Sequence, residues 1–345
     1  MKGIITLAAA GASMAAAASC EFENLVVFGD SYSDNGRLAF YYNNNGTAPP
    51  PGVLQTPISN TSSGGLTWGQ YVQERKPNVG FFDYAISGAT CSNKIVSRFF
   101  APMGEPFPSV MDDEIPSFLA DVASPHILYQ NRTSENTVFA LWIGTNDLSF
   151  PGFLGDSQAP GSNITTYIDC VWQVLDSIYS VGGRRFVLFN QAPLHLTPAY
   201  RPQADGGAGD NMYWLNKTSY NETEYANKML QYTTSINTIF DYGAPFNLLV
   251  KHRWRGASVS LFNVHQLLAD IYQRPDGYLS APANSTGYFY HCDAVNTTDC
   301  TYAPGTIDNY LFYDELHPSP KTDSIIADNF LDVVAGVSKY GTTYS

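Results

Sequence analysis

The hydrophobic positions of this chain fall into two alternating patterns. Five short runs rich in β-branched and aromatic residues have the length and composition of buried strands, and they lie at residues 25–28, 81–84, 138–142, 185–189 and 259–262. Apolar residues recur at helical spacing between these runs, at residues 67–75, 163–181 and 222–250, the last segment being interrupted near residues 243–245. A final helix is predicted to begin with Ser319 as its N-cap and Pro320 in its first turn, because both residue types favour those positions.

Strands that are separated by helices pair in parallel, because each helical crossover returns the chain to the same end of the sheet. We therefore expect an α/β fold with a mostly parallel sheet that helices cover on both faces. Sites in such sheets form at the carboxyl ends of the strands. Segments rich in Gly, Pro and polar residues are expected to be surface loops that could wall a cleft, and they lie at residues 43–65, 101–116, 202–211 and 277–305.

The composition indicates a folded chain with a large core. The 345 residues are 44% hydrophobic and 14% charged, which is too apolar a balance for a disordered chain. We found no internal repeat and no clear boundary, so a single domain is expected over residues 20–345. The net charge of −13 disfavours nucleic acid and anionic membrane surfaces as partners.

The first residues have the pattern of a secretory signal. Lys2 supplies a positive start, residues 4–18 are apolar, and small residues crowd the region before Cys20. The apolar stretch is shorter than the roughly 20 residues that a membrane-spanning helix needs. We expect residues 1–19 to form a signal peptide, cleaved between Ala16 and Cys20, and the mature protein to be extracellular without stable membrane insertion.

Glycosylation motifs and cysteines agree with secretion. A eukaryotic secretory route would add N-glycans to several of the acceptor motifs, which begin at Asn45, Asn60, Asn131, Asn163, Asn216, Asn221, Asn284 and Asn296. Cys292 and Cys300 bracket a short polar stretch and are expected to form a disulfide. Cys91 with Cys170 is the next pairing, which would leave Cys20 unpaired.

A serine follows the first predicted strand directly. The triplet Gly29-Asp30-Ser31 ends the apolar run of residues 25–28, so Ser31 is expected in a glycine-opened turn at the carboxyl edge of the sheet. A hydroxyl in that place can act as a nucleophile when a base, an orienting acid and oxyanion donors accompany it. The triplet recurs at residues 155–157, but no strand precedes it, so Ser157 is expected to lie in a loop.

His317 is the candidate base. It stands three residues after Asp314 and just before the last helix, and this spacing lets the carboxylate hold Nδ1–H while Nε2 faces a nucleophile. His265, at the end of the fifth predicted strand, is the alternative base because it could reach the same edge. His291 lacks the partner ligands that a metal site would need. A reaction at a serine with a histidine base needs neither a metal nor an organic cofactor, so none is expected. Surface loops or helices are predicted for His126, His195 and His252.

Two further turns supply candidate oxyanion donors. Asn146 follows the third predicted strand, two residues after Gly144, and its side-chain amide can point at a developing oxyanion. Gly88 follows the second predicted strand and offers a backbone N–H. With the N–H of Ser31 these make three donors, and one donor of this kind is worth roughly a hundredfold in rate.

These blocks, taken in order, resemble the GDSL, or SGNH, hydrolase family. Gly29-Asp30-Ser31, Gly88, Gly144-x-Asn146-Asp147 and Asp314-x-x-His317 are similar to its four sequence blocks and extend over nearly the whole chain. The resemblance implies a flavodoxin-like three-layer α/β/α sandwich. It also implies that Ser31 is the nucleophile, His317 the base and Asp314 its orienting acid, with Ser31, Gly88 and Asn146 in the oxyanion hole. The Gly-x-Ser-x-Gly elbow of the α/β-hydrolases is absent.

The resemblance implies hydrolysis of carboxylic esters through an acyl-enzyme. The Tyr-rich loops and the insertion between Cys292 and Cys300 resemble secreted fungal members of carbohydrate esterase family 16, which remove acetyl groups from plant cell-wall oligosaccharides. An acetylated oligosaccharide or a small ester is therefore the expected substrate, and a monomer the expected state. The aromatic side chains of residues 40–42 could stack on sugar rings, but Phe40 and Tyr41 could instead pack a helix against the sheet.

Two alternatives remain open. Lipases and phospholipases of the same family share every catalytic block, so acyl lipids are the alternative substrates. A secreted binding module that has kept the fold without activity is a more remote alternative, and it is disfavoured because no member of the expected triad is missing.

Overall fold

The structure, a computed structural model, describes residues 21–124 and 127–345. The predicted signal peptide (residues 1–19) and Cys20 lie outside the described residues, as does His126. No helix of the described residues is long and apolar enough to cross a membrane.

A six-stranded sheet organises the described part of the chain. Its strands are β1 (Asn24–Gly29), β2 (Gly80–Asp83), β3 (Thr137–Trp142), β4 (Arg185–Phe189), β5 (Ser258–Phe262) and β6 (Gly341–Tyr344). They lie side by side in the order β2-β1-β3-β4-β5-β6. The first five are parallel, whereas β6 runs antiparallel to β5. The order of the parallel strands is that of flavodoxin-like sheets, which confirms the predicted fold class.

Helices cover both faces of this sheet. They are α1 (Arg37–Asn43), α2 (Trp68–Arg75), α3 (Ile115–Ala123), α4 (Ile164–Ser180), α5 (Glu222–Pro245), α6 (Val264–Gln273) and α7 (Pro320–Val334). Helices α2 and α7 pack against each other, and α4 packs against both α3 and α5. As predicted, the side chain of Ser319 caps α7, and Pro320 lies in the first turn of that helix.

Aromatic side chains join the layers. The ring of Trp68 in α2 lies 4.8 Å from those of Phe189 in β4 and Phe330 in α7. Phe118 in α3 packs edge-on against Phe28 in β1 at 5.4 Å. All five side chains are buried, and burying such a side chain is worth about 1.5–3 kcal/mol. Because the strands are covered on both faces, they have continuous apolar runs instead of an alternating pattern.

The segment 101–116 differs from its prediction as a loop. It includes a π-helical turn, Val110–Glu114, that continues directly into α3. Ser109 begins this turn by accepting the N–H of Asp112 on its side chain. Pro116 lies in the first turn of α3, where proline is tolerated because its missing N–H has no partner in a helix. The proline-rich composition therefore concealed a helix start.

The C-terminal half shows two further differences. His265, predicted at a strand end, lies in the first turn of α6. No apolar run predicts β6, because its Gly, Thr and Tyr residues have little apolar character and it forms the edge of the sheet. The predicted break near residues 243–245 is present, since α5 ends at Pro245 and a π-helical turn, Phe246–Val250, follows.

Both predicted disulfides are present. Cys91–Cys170 joins the segment after β2 to α4 across 79 residues of sequence. Cys292–Cys300 closes the small hairpin formed by strands Tyr290–Cys292 and Cys300–Tyr302. This hairpin belongs to the segment 277–305, for which the sequence predicts a surface loop.

Candidate active site

Ser31 stands just beyond the carboxyl end of β1. The turn depends on Gly29, whose φ is +150°, and a Cβ atom there would lie 2.2 Å from the carbonyl oxygen of Trp142. Only glycine fits this approach of two backbones. The carbonyl of Asp30 then accepts the N–H groups of Ser33 and Asp34, at 2.9 and 3.0 Å. The sharp turn presents the Ser31 side chain at the sheet edge, as the sequence predicted.

The structure brings Ser31, His317 and Asp314 together. Nε2 of His317 lies 2.7 Å from Oγ of Ser31, and Nδ1 lies 2.9 Å from Oδ2 of Asp314. The backbone N–H groups of Leu316 and His317 donate to Oδ1 of Asp314 at 2.8 and 2.6 Å, which fixes the turn between acid and base. Because Nδ1 faces a carboxylate, we assign the proton to Nδ1, and the lone pair of Nε2 then faces the serine hydroxyl.

The environment keeps Asp314 ionised. Burial alone would raise the pKa of Asp314, but the charge of His317 and hydrogen bonds from His317 and Tyr213 outweigh that effect, so its pKa lies below the usual value. By contrast, burial raises the pKa of Asp30 to about 6 and that of Asp147 to about 7. The carboxylate that contacts the histidine is thus the one of the three whose pKa is lowered, and its charge can stabilise an imidazolium.

Tyr213 is a contact of this site that sequence reasoning missed. Its hydroxyl donates to Oδ2 of Asp314 at 2.7 Å and lies 3.2 Å from Nδ1 of His317. Tyr32 contacts the same segment, because its hydroxyl donates to the carbonyl of Leu316 at 2.9 Å. Tyr213 lies in an irregular segment between β4 and α5, and no periodicity or motif there indicates its role.

Gly88 and Asn146 lie after the two strands that flank β1. Gly88 has φ +87°, and a Cβ atom there would lie 2.3 Å from the Phe107 ring. Within residues 21–124 and 127–345, the N–H groups of Ser31 and Gly88 make no hydrogen bond to the protein. Nδ2 of Asn146 donates to the carbonyl of Ala89 at 2.9 Å, which uses one of its two hydrogens. Each predicted oxyanion donor thus retains a hydrogen for a ligand.

The loops after β2 and β3 are tied to each other. The carboxylate of Asp147 accepts the N–H of Cys91 on both oxygens, at 3.0 and 3.1 Å. The disulfide from Cys91 to Cys170 anchors the same loop to α4. Asn146 directly precedes Asp147, and Gly88 lies three residues before Cys91. These links therefore fix the positions of Gly88 and Asn146 relative to each other.

Arg98 is the second contact that sequence reasoning missed. Its Nη1 donates to the carbonyl of Gly88 at 3.0 Å and to Oδ1 of Asn146 at 2.5 Å. Its guanidinium carbon lies 5.1 Å from the centre of the Phe107 ring. Arg98 immediately precedes the small hairpin of Phe99–Phe100 and Glu105–Pro106, and only the folded path of this hairpin brings its side chain to the site.

The alternative base is not placed for the role. Nδ1 of His265 lies 3.1 Å from the carbonyl of Gln191 and 3.3 Å from Nδ2 of Asn237. Its ring stacks on that of His195 at 6.0 Å. His195 is half-buried, so its predicted surface position is wrong. Ser157 is exposed and outside any strand, as predicted.

Two other observations bear on ligands. The described residues contain no group of three or more His, Cys, Asp or Glu side chains that could hold a metal ion. A cavity of about 1190 Å³ lies at the opposite edge of the sheet, where Asn136 and Ser258 lie at the starts of β3 and β5. None of Ser31, His317 and Asp314 lines this cavity.

A flavodoxin-like sheet with a hydrogen-bonded Ser-His-Asp arrangement at its carboxyl edge is typical of one class of serine hydrolases. The model of the GDSL-like lipase/acylhydrolase family matches residues 25–330. The chain belongs to this family, which confirms the resemblance seen in its sequence blocks.

Named relatives agree with this assignment. The chain is 57% identical to an acetylesterase of Hypocrea jecorina over 322 residues, which cover 93% of this chain and 91% of the relative. It is 29% identical to an acetylesterase of Thermothelomyces thermophilus over 236 residues, 65% of this chain and 72% of the relative. It is 26% identical to the GDSL esterase/lipase EXL6 of Arabidopsis thaliana over 197 residues, 56% of this chain and 50% of the relative. The chain is an enzyme that hydrolyses carboxylic esters.

Proposed function

We propose that this chain is a secreted acetylesterase that acts on acetylated plant cell-wall oligosaccharides, with Ser31 as nucleophile, His317 as base and Asp314 as orienting acid. The observation that carries the assignment of roles is the 2.7 Å contact between Nε2 of His317 and Oγ of Ser31. The identity of 57% to an acetylesterase over 93% of the chain supports the choice of an acetyl ester.

In the first half of the reaction, Oγ of Ser31 attacks the ester carbonyl carbon and its proton passes to Nε2 of His317. The carbonyl oxygen becomes an oxyanion, which accepts hydrogen bonds from the N–H of Ser31, the N–H of Gly88 and Nδ2 of Asn146. The C–O bond to the alcohol then breaks. The alcohol oxygen takes the proton from Nε2 as it leaves, and the acetyl group remains on Ser31.

In the second half, water replaces the alcohol. Nε2 of His317 takes a proton from the water as its oxygen attacks the acyl carbon, and the same donors hold the second oxyanion. Collapse releases acetic acid and returns the proton to Oγ of Ser31. Throughout both halves Asp314 keeps the proton on Nδ1 and stabilises the imidazolium, for which its lowered pKa suits it.

A row of aromatic side chains supports an oligosaccharide as the alcohol part. Phe107 lies against Gly88, Phe100 stacks on Phe107 at 4.4 Å, and Tyr42 follows at 6.4 Å from Phe100. Tyr42 is exposed, whereas Tyr41 is buried and packs α1 against the body of the protein. Tyr41 is therefore not available to stack on a sugar ring. The row from Phe107 to Tyr42 is the better candidate, because apolar faces with few polar groups suit a binding groove.

Acyl lipids are the second candidate substrates, and exposed apolar side chains favour them. Phe99, next to Arg98, is 68% exposed, and Leu215, two residues after Tyr213, is 60% exposed. Exposed apolar groups on the segments that carry Arg98 and Tyr213 would suit an acyl chain or a lipid surface. Activity on esters of different chain length distinguishes the two candidates.

The test is an ester panel on a matched set of serine variants. The wild-type chain is expected to hydrolyse p-nitrophenyl acetate and acetylated xylo-oligosaccharides faster than long-chain p-nitrophenyl esters. Ser31→Ala should lower kcat by about a thousandfold or more with an unchanged fold. Ser157→Ala, which alters the other Gly-Asp-Ser triplet, should retain full activity.

Each outcome of the panel is decisive. Full activity of Ser31→Ala would remove the proposed nucleophile. A preference for long-chain esters would replace the acetylesterase by a lipase. A serine-directed phosphonate gives an independent check, because it should modify Ser31 and leave Ser157 unmodified.

We also propose that the mature protein is secreted after loss of residues 1–19, forms a single domain over residues 20–345, and acts as a monomer. The asparagines of seven acceptor motifs are exposed and accessible to glycosylation: Asn45, Asn60, Asn131, Asn163, Asn216, Asn221 and Asn296. Removal of N-glycans should reduce the mass of the secreted protein, and an unchanged mass would contradict glycosylation.

A further inference from the structure

Arg98 contacts both proposed oxyanion residues but lies outside the four sequence blocks. A single nitrogen, Nη1, donates to the carbonyl of Gly88 and to Oδ1 of Asn146. Nε of Arg98 is buried and has no hydrogen-bond partner among the described residues. The guanidinium packs over the face of Phe107, so ring and hydrogen bonds together define its position.

These contacts determine which way the amide of Asn146 faces. An arginine side chain can only donate hydrogen bonds, so the atom that faces Arg98 must be the amide oxygen. The carbonyl of Ala89 can only accept, so the atom that faces it must be Nδ2. The two partners therefore allow one of the two amide orientations, and in that orientation one Nδ2 hydrogen remains for a substrate oxygen.

We propose, on the basis of the proposed function, that Arg98 is a positioning residue of the oxyanion hole that orients the Asn146 amide and strengthens it as a donor. A cation at Oδ1 draws electron density from the amide, because hydrogen bonds in a chain polarise one another. The Nδ2 hydrogen then carries more positive charge toward the oxyanion. Such help acts in the transition state, where the charge develops, more than in the ground state.

The charge of Arg98 is available for this purpose. Among the described residues, no carboxylate forms an ion pair with it. Asp30 and Asp147 interact with it electrostatically, but neither forms an ion pair with it. The guanidinium therefore contacts the Asn146 amide directly, whereas the two carboxylates act on the guanidinium from a greater distance.

A purely structural role explains less. The loops that carry Gly88 and Asn146 are already joined without Arg98, through the N–H of Cys91 on Asp147 and through Nδ2 of Asn146 on the carbonyl of Ala89. Loss of Arg98 leaves those links in place. It removes the second of the two partners that fix the amide orientation, together with the charge at Oδ1.

The experiment compares Arg98→Gln with Arg98→Lys on p-nitrophenyl acetate. Arg98→Gln should lower kcat by about tenfold to a hundredfold and change KM by less than about threefold. Arg98→Lys keeps the charge but lacks the planar donor group, and it should recover at least part of kcat. Arg255→Gln, an exposed arginine before β5, is the matched control and should behave like the wild-type chain.

A double-mutant cycle shows whether Arg98 acts through the amide. In an Asn146→Ala background, Arg98→Gln should have almost no further effect on kcat, because the group that it orients is absent. Independent, multiplying effects of the two changes would overturn the proposal. Equal kcat values for Arg98→Lys and Arg98→Gln would also overturn the proposal, and so would an effect of Arg98→Gln on KM alone.

Thermal unfolding separates a misfolded variant from an impaired one. If Arg98→Gln loses its cooperative transition, Arg98→Lys replaces it in the double-mutant cycle. The kcat of Arg98→Lys is then compared with that of the wild-type chain, each with and without Asn146→Ala, and the same criteria apply. If Asn146→Ala alone leaves kcat unchanged, the proposed oxyanion hole itself is wrong. That result is distinct from additivity, which would contradict only the role of Arg98.

Discussion

The hydroxyl of Tyr213 donates a 2.7 Å hydrogen bond to Oδ2 of Asp314, the carboxylate oxygen that also faces Nδ1 of His317. Asp314 therefore has four donors: Tyr213, the ring of His317 and the backbone N–H groups of Leu316 and His317. A carboxylate with several donors stays ionised in a buried site. Tyr213 thus supports the acid of the proposed triad from outside the Asp314-x-x-His317 block.

Tyr213→Phe should impair catalysis mildly and change its pH dependence. Loss of one hydrogen bond should lower kcat/KM by about threefold to tenfold. The hydroxyl helps to lower the pKa of Asp314, so its removal should raise that pKa. Loss of activity through protonation of Asp314 should therefore begin at a higher pH than in the wild-type chain.

The control for this change is Tyr220→Phe, which removes another hydroxyl from the same loop region. Tyr220 packs its ring on Trp214, and its hydroxyl does not contact the triad. Equal pH profiles for Tyr213→Phe and the wild-type chain would show that the contact has no influence on the acid.

Gly88→Ala should disrupt the proposed oxyanion hole through a steric contact. The added Cβ would lie 2.3 Å from the Phe107 ring, so either the ring or the Gly88 N–H must shift. Displacing one donor should lower kcat by about a hundredfold. The measurement is kcat on p-nitrophenyl acetate, with the circular dichroism spectrum as a check of the fold.

Gly104→Ala separates this contact from backbone strain. Gly104 also has a positive φ, +71°, but nothing lies within 4 Å of its would-be Cβ. The Gly104→Ala variant should therefore be destabilised by the unfavourable φ but keep its kcat. A similar loss of kcat in both variants would mean that strain, and not the contact with Phe107, is responsible.

Removal of the two disulfides should have unequal effects on stability. Cys91–Cys170 spans 79 residues and Cys292–Cys300 spans 8. In the chain-entropy account, the longer loop restricts the unfolded chain more, by about 2 kcal/mol. Urea unfolding of the two double Cys→Ala variants measures the difference, and equal losses of unfolding free energy would contradict it.

Stability should decrease as pH rises from about 4 to about 7. Burial raises the pKa of Asp147 from 3.8 to about 7 in the folded chain. The unfolded chain ionises this group first, so each rise in pH across that window favours unfolding. The contribution of Asp147 is fully present below pH 3.8 and is lost as the pH passes the folded value.

Asp147→Asn tests this dependence. Without the ionisable group, the slope of unfolding free energy against pH should become shallower, by at most about 1.4 kcal/mol per pH unit. Asp169→Asn, an exposed aspartate on α4, is the control and should leave the slope unchanged. An unchanged slope in Asp147→Asn would show that this carboxyl does not titrate in the window.

Sequence patterns determined the parts of this protein that depend on local order. The run at residues 25–28 predicts β1 (Asn24–Gly29) because a strand buried on both faces must be apolar along its length. The spacing of Asp314 and His317 predicts their contact because three residues make one turn. The cap at Ser319 is equally local.

The tertiary structure alone decided the contacts between distant segments. Tyr213 meets Asp314 across 101 residues of sequence, and Arg98 meets Asn146 across 48. Neither residue lies in a periodic pattern, because each belongs to an irregular segment whose path is set by packing over the sheet edge. Local sequence preferences position Ser31, His317 and Asp314 in their turns. The packing of loops from distant parts of the chain determines which polar groups surround them.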